Sequence, residues 1–147
     1  MDLSKVKLEP DFAQRVRESF RRQGLMATLG ATLTSVEAGC VAIEVAFNPG
    51  LTQQHGFFHA GVTSSIADTA GGYAGYTLFP ADSSVLTVEF KINLVAPAQG
   101  DRLRAVGRVL THGRTLTVCE LRVLAFNGNE EKLCAVGQQT LICLRDK

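Results

Sequence analysis

Apolar positions change their period several times along the chain. Between Pro10 and Arg22, Phe12, Val16 and Phe20 recur at i, i+4 and i+8, the spacing of one helix face. With Asp11 near its start and a basic end, this segment is predicted to be an amphipathic helix serving as a lid or edge. The pattern then turns to strands over Leu25 to Ser35 and Cys40 to Asn48, joined by Glu37-Ala38-Gly39, so a hairpin is expected. In the second strand Val41, Ile43, Val45 and Phe47 alternate with smaller or polar residues, which marks one buried face. Four further extended segments follow, Ser84 to Val95, Arg102 to Thr111, Thr115 to Asn127 and Glu130 to Leu144. The breakers between them are Pro97-Ala98-Gln99-Gly100, His112-Gly113-Arg114 and Asn127-Gly128-Asn129. Short loops require antiparallel neighbours, so these segments read as a four-strand meander.

Between the hairpin and the meander lies Gln53 to Gly75, QQHGFFHAGVTSSIADTAGGYAG, a helix candidate whose sole charged residue is Asp68. A helix turns about 100° per residue, so Gly61, Ser64, Ser65, Gly71, Gly72 and Gly75 fall within roughly 60° of Asp68. Val62, Ile66, Ala70 and Tyr73 form the opposite, buried stripe. Each interior Gly costs about 1 kcal/mol against Ala, which implies a close approach by something. Small residues could simply admit a neighbouring element, with Asp68 bonding a nearby turn. The alternative is a carboxylate facing a narrow cleft, and the flanking His55-Gly56-Phe57-Phe58-His59-Ala60-Gly61 favours it. That run leads into a helix start, where unpaired N–H groups and the positive dipole end can polarise a carbonyl oxygen. One long helix inserted between strands gives an α+β arrangement in which the sheet can wrap the helix.

At 147 residues the chain is long enough to bury about two thirds of its unfolded surface. The first 24 residues are set apart as a helix and extension, leaving a domain over 25–147. Lys+Arg 15 against Asp+Glu 14 gives a net charge of +1, without the basic patch of a nucleic-acid binder. Nothing resembles a signal peptide, and no apolar run reaches the ~18 residues of a membrane span. A cytoplasmic protein with no membrane and no nucleic-acid partner is therefore expected. Cys40, Cys119, Cys134 and Cys143 lack C-x-x-C spacing and sit in apolar runs, so reduced thiols are expected and no metal site.

Several of these residues together resemble a known family. Gln53, then His59-Ala60-Gly61-Val62, then Asp68 nine residues after His59, then Thr87-Val88-Glu89-Phe90-Lys91-Ile92-Asn93-Leu94-Val95-Ala96-Pro97, are similar to the hotdog-fold acyl-CoA thioesterases of the PaaI type. The resemblance spans roughly Leu25 to Leu144 and includes the order of elements. It implies a sheet wrapped round a central helix, and homodimers, often dimers of dimers, with two sites at the subunit interface. It also implies an acyl-CoA substrate and no separate cofactor, coenzyme A being part of the substrate.

Carried over by position, the resemblance makes Asp68 the catalytic carboxylate, as nucleophile or as general base. Gln53 takes the place of the amide that holds the thioester or the water, and the Ala60 N–H the place of the oxyanion donor. Relatives usually have Gly at that position; Ala suffices if its dihedrals are helical, because the donor is main-chain. His59, at the helix entry, is either an orienting residue or a satisfied structural histidine. Thr87 matches a hydroxyl near the water or is an ordinary strand Thr, and Gly72 stands where some relatives place Ser or Thr. Gly61 adjoins the donor, and Phe57 and Phe58, with Tyr73 and Tyr76, are candidates to line an acyl tunnel. Coenzyme A is polyanionic, which nominates Lys91 and Arg114 at the cleft mouth, or as solvated surface charge.

Thioester hydrolysis needs a carboxylate within reach of water or carbonyl carbon, and donors aimed at the developing oxyanion. The chain contains no Gly-x-Ser-x-Gly elbow, G-x-x-x-x-G-K-[ST] loop or Rossmann fingerprint after a strand. A hotdog hydratase or dehydratase would need a His and an acid set for proton transfer, and its His-Phe-Pro type of signature is missing. A non-catalytic acyl-CoA-binding module is the third possibility.

Overall fold

The computed structural model describes residues 1 and 3–145, so the last two positions of the expected 25–147 domain lie outside the described residues. Helices α1 (Phe12–Arg21) and α2 (Gly24–Leu29) precede strands β1 (Thr32–Glu37) and β2 (Cys40–Ala46). Helix α3 (Ala60–Tyr76) follows, and then β3 (Ser83–Leu94), β4 (Arg102–His112), β5 (Leu116–Asn127) and β6 (Glu130–Arg145). The six strands form one antiparallel sheet in the order β1-β2-β4-β5-β6-β3, wrapped against α3. This is the α+β architecture expected from the element order.

Three local expectations are corrected. Leu25 to Leu29 is helix, not strand: GLMATL makes one and a half turns and stops at Gly30, whose φ of 66° lets Gly30 N and Ala31 N donate back to Ala27 O and Met26 O. That left-handed cap suits glycine and ends the helix abruptly. The meander holds for β4, β5 and β6, but β3 crosses over to pair with β6 at the sheet edge. Phe47 lies past the end of β2 and is half exposed, edge-on to Phe58 at 5.5 Å, while Val41, Ile43 and Val45 are fully buried as their alternation requires.

The glycines of α3 divide between two uses. A Cβ on Gly71 would lie 2.0 Å from Gln139 Oε1 and 2.5 Å from Leu121 Cδ2, and one on Gly75 2.4 Å from Leu141 Cδ1. Across the interface, a Cβ on Gly107 of β4 would sit 2.4 Å from the Ala70 carbonyl carbon. Here the close approach is the sheet itself, so Gly71 and Gly75 follow the packing reading, and their helix-propensity cost is offset by backbone-level contact. Gly72 is different, with no atom within 4 Å of its notional Cβ. It faces the open space beside Asp68.

The N-terminal segment shares this core. Val16 of α1 and Met26 of α2 are buried, and Arg15 donates to Phe79 O and Pro80 O at 3.3 and 3.2 Å while stacking over the Tyr76 ring. No helix among the described residues is long and apolar enough to cross a membrane.

Candidate active site

The loop before α3 is tied down from both sides. Phe58 N donates to Ala98 O and His59 N to Leu51 O, each at 2.9 Å, and Phe58 is buried. Gly56, at φ 83°, turns the chain so that its N–H reaches Gln53 O, and the Gln53 side-chain oxygen accepts from His55 N. His59 is the N-cap of α3, its Nδ1 accepting from Gly61 N at 2.8 Å. An accepting Nδ1 has a free lone pair, so the proton of the neutral ring sits on Nε2. The imidazole is thus committed to satisfying one orphan donor of the helix start. The next orphan, the Ala60 N–H, has no acceptor among the described residues. Ala60 is helical, so the absence of a second Gly does not disturb the donor. Gln53, Phe57, Ala60 and the buried Thr63 line one groove together with Leu94 to Ala98.

Asp68 lies two turns further along α3 and is half-buried in the wall of a separate cavity of about 660 Å³. Its Oδ1 accepts from Thr87 Oγ1 at 2.8 Å and from Gln139 Nε2 at 2.6 Å. Its Oδ2 has no partner among the described residues and remains accessible. Thr87 reaches it because of a bulge: Thr87 pairs with Leu141 but Glu89 with Thr140, leaving Val88 unmatched. One extra residue resets the alternation, so Thr87 and Phe90 both face the α3 side and both line the cavity. The far wall comes from the N-terminal helices, where Gln23 Nε2 donates to Tyr73 Oη at 3.0 Å and Tyr73 Oη to Ser19 Oγ at 3.1 Å.

The structure brings together Asp68, Thr87 and Tyr73 around one cavity, and Gln53, Phe57 and Ala60 around the other. Phe58 belongs mainly to the core, and the Gly61 N–H is occupied by His59. Lys91 donates to Asn93 Oδ1 at 2.9 Å and lines neither cavity. Arg114, on the β4–β5 turn, faces a third hollow with His112, whose pKa burial lowers. Tyr76 is taken up by Arg15 and Phe79. Gln139 escaped the sequence reading. Its signal is faint: a polar residue on the inward-facing alternation of β6, between Ala135 and Leu141, both fully buried. All four cysteines are free; burial pushes Cys119 up to about 12 and Cys134 up to about 11, so neither offers a thiolate at neutral pH.

The sequence profile of the thioesterase superfamily matches residues 55–132. A crystal structure of a thioesterase family protein from Silicibacter pomeroyi superposes with a TM-score of 0.90 at 44% identity, covering 92% of this chain and 99% of that one. A 1,4-dihydroxy-2-naphthoyl-CoA hydrolase of Listeria monocytogenes is 25% identical over 80% of this chain and 94% of its own. The E. coli PaaI protein shares the fold, with a TM-score of 0.81 at 20% identity over 96% of this chain and 97% of that one.

Proposed function

The chain belongs to the thioesterase superfamily and is a hotdog-fold thioester hydrolase of the PaaI type, and from that premise we propose that it hydrolyses an acyl- or aryl-CoA thioester to the free acid and coenzyme A. The observation that carries this reading is the half-satisfied Asp68 carboxylate. One oxygen is held by two donors and the other is open at a cavity wall. In the reaction, Oδ2 takes a proton from a water that adds to the thioester carbon, or itself adds to that carbon before water follows. Either way an oxyanion forms, an N–H stabilises it, and collapse releases the thiolate of coenzyme A, which then gains a proton. A carboxylate, a water and an N–H suffice for these steps, so the proposal includes no cofactor.

On this reading the two ends of the machinery come from two chains. Ala60 and Asp68 are eight residues apart, roughly 12 Å along the helix axis at 1.5 Å per residue. A base and an oxyanion donor serving one carbonyl must each lie within about 3 Å of their targets, which spans roughly half that distance. We therefore assign the site to a homodimer in which Gln53 and the Ala60 N–H of one protomer face Asp68 of its partner. The edge strand β3 supports this assembly. It is twelve residues long and exposes Leu86, Val88, Phe90 and Leu94, a combination that seeks a second strand. Exposed Leu110, Leu116 and Leu144 support a further pairing into a dimer of dimers. Phe57 and Tyr73 line the two cavities into which an acyl group would extend. Lys91 and Arg114 would meet the nucleotide end of coenzyme A only in that assembly. A cytoplasmic setting completes the proposal, matching free thiols and an intracellular CoA pool.

His59 is paired with no acid among the described residues, which counts against a hydratase, where a His and an acid act together. Incubating the protein with CoA thioesters of varied acyl chain and aryl group tests the proposal, with thiol release and free acid measured together. Stoichiometric appearance of both from at least one class is expected. Tight binding with no release from any member would make the protein a binding module.

A further inference from the structure

We propose that Gln139 is a positioning residue for this hydrolysis: its buried amide locks Asp68 so that Oδ2 is the reacting oxygen. The inference rests on the reading of Asp68 as the catalytic group. Gln139 lies outside the residues 55–132 that the superfamily matches.

Gln139 is fully buried on β6, and its Nε2 lies 2.6 Å from Asp68 Oδ1, 2.9 Å from Thr87 Oγ1 and 3.1 Å from Asp68 O. A carboxylate oxygen and a main-chain carbonyl only accept, so the amide nitrogen must face them and the reverse orientation is excluded. Thr87 in turn donates to the same Oδ1 at 2.8 Å. Side chain and backbone of Asp68 are thus gripped by one amide, with the hydroxyl as a second strut, and rotation of the carboxylate would break both contacts to Oδ1. The grip has a cost. Gln139 Oε1 is buried with no partner, in a slot that exists because residue 71 has no Cβ, which would lie 2.0 Å away. An orphaned buried carbonyl is destabilising, and a Met or Leu at 139 would fill similar space without it. A purely structural role therefore favours an apolar residue here. The amide is accounted for by what its nitrogen does to Asp68.

The test compares Gln139→Met and Gln139→Glu with the native enzyme by kcat, KM and thermal melting, on the best CoA thioester. Gln139→Met should melt no lower than the native protein yet lose about tenfold or more in kcat, the scale of a hydrogen bond to a charged group, with KM within about twofold. Gln139→Glu retains the shape but puts a carboxyl in place of the amide donor, so it should lower kcat as well, again with KM within about twofold. Native kcat in either folded variant would overturn the proposal. Adding Gln139→Met to Asp68→Asn should have no further effect, and a second multiplicative loss would show that Gln139 does not act through Asp68. An Asp68→Asn single variant with native turnover would instead refute the underlying reading of the site.

Discussion

Replacing Asp68 by Asn is expected to lower kcat by at least about a hundredfold, the usual scale for a positioned base. The substitution preserves shape and most contacts. Thr87 Oγ1 and Gln139 Nε2 both donate to Asp68 Oδ1, and the carboxamide oxygen of Asn can accept from both in the same place. Its NH₂ group then occupies the open position of Oδ2, where it can neither take a proton from water nor add to a carbonyl carbon. KM and the melting temperature should therefore stay near native values while turnover collapses. Steady-state kinetics and a thermal melt on the same preparation check both halves. A folded Asp68→Asn protein that turns over normally would remove the carboxylate from the chemistry.

Ala60→Pro is expected to be comparably severe for a different reason. The Ala60 N–H is the first of α3 and has no acceptor among the described residues, so deleting it breaks no hydrogen bond of the described fold. The backbone already suits proline. Ala60 is the first helical residue, where proline is tolerated, and His59 before it sits at φ −63° and ψ 142°, the extended conformation that a residue preceding proline adopts. Loss of one oxyanion donor typically costs ~3 kcal/mol, around a hundredfold or more in turnover. Ala60→Gly, which retains the N–H, should be nearly silent. Turnover and circular dichroism on the two variants separate the donor from the fold. Undiminished hydrolysis by a folded Ala60→Pro protein would place carbonyl polarisation elsewhere, with the Gln53 amide as the next candidate.

Asp68 stands out as a candidate because a lone charge in an uncharged, Gly-rich helix violates the ordinary rule for such helices, and violations concentrate at functional sites. The strand alternation of β2 and the hairpin turns of β4, β5 and β6 were legible for a simpler reason: period and turn chemistry are local. What failed was non-local or ambiguous. One and a half turns of helix at Gly24 to Leu29 contain too few residues for a 3.6 period to separate from an apolar strand, and the left-handed Gly30 was the overlooked stop. The pairing of β3 with β6 depends on a crossover that neither strand encodes by itself. Thr87 could be nominated but not joined to Asp68, since the Val88 bulge sets its direction. Gln139 lies 71 residues from Asp68, and only the folded register makes them neighbours. Gly71 and Gly75 looked like one bare face with Asp68 because angular position on a helix does not say how the sheet curves around it.

The measurement that tests the account most directly is subunit complementation. Asp68→Asn and Ala60→Pro proteins, each nearly inactive alone, are mixed under conditions of verified subunit exchange, and CoA thioester hydrolysis is followed per chain. If each site draws its base from one protomer and its oxyanion donor from the other, every mixed dimer holds one intact site and one doubly defective site. Random re-association makes half the dimers mixed, so the account predicts recovery to about a quarter of native activity. Activity that stays at the average of the two parent variants, with exchange confirmed, would contradict a site shared between two chains.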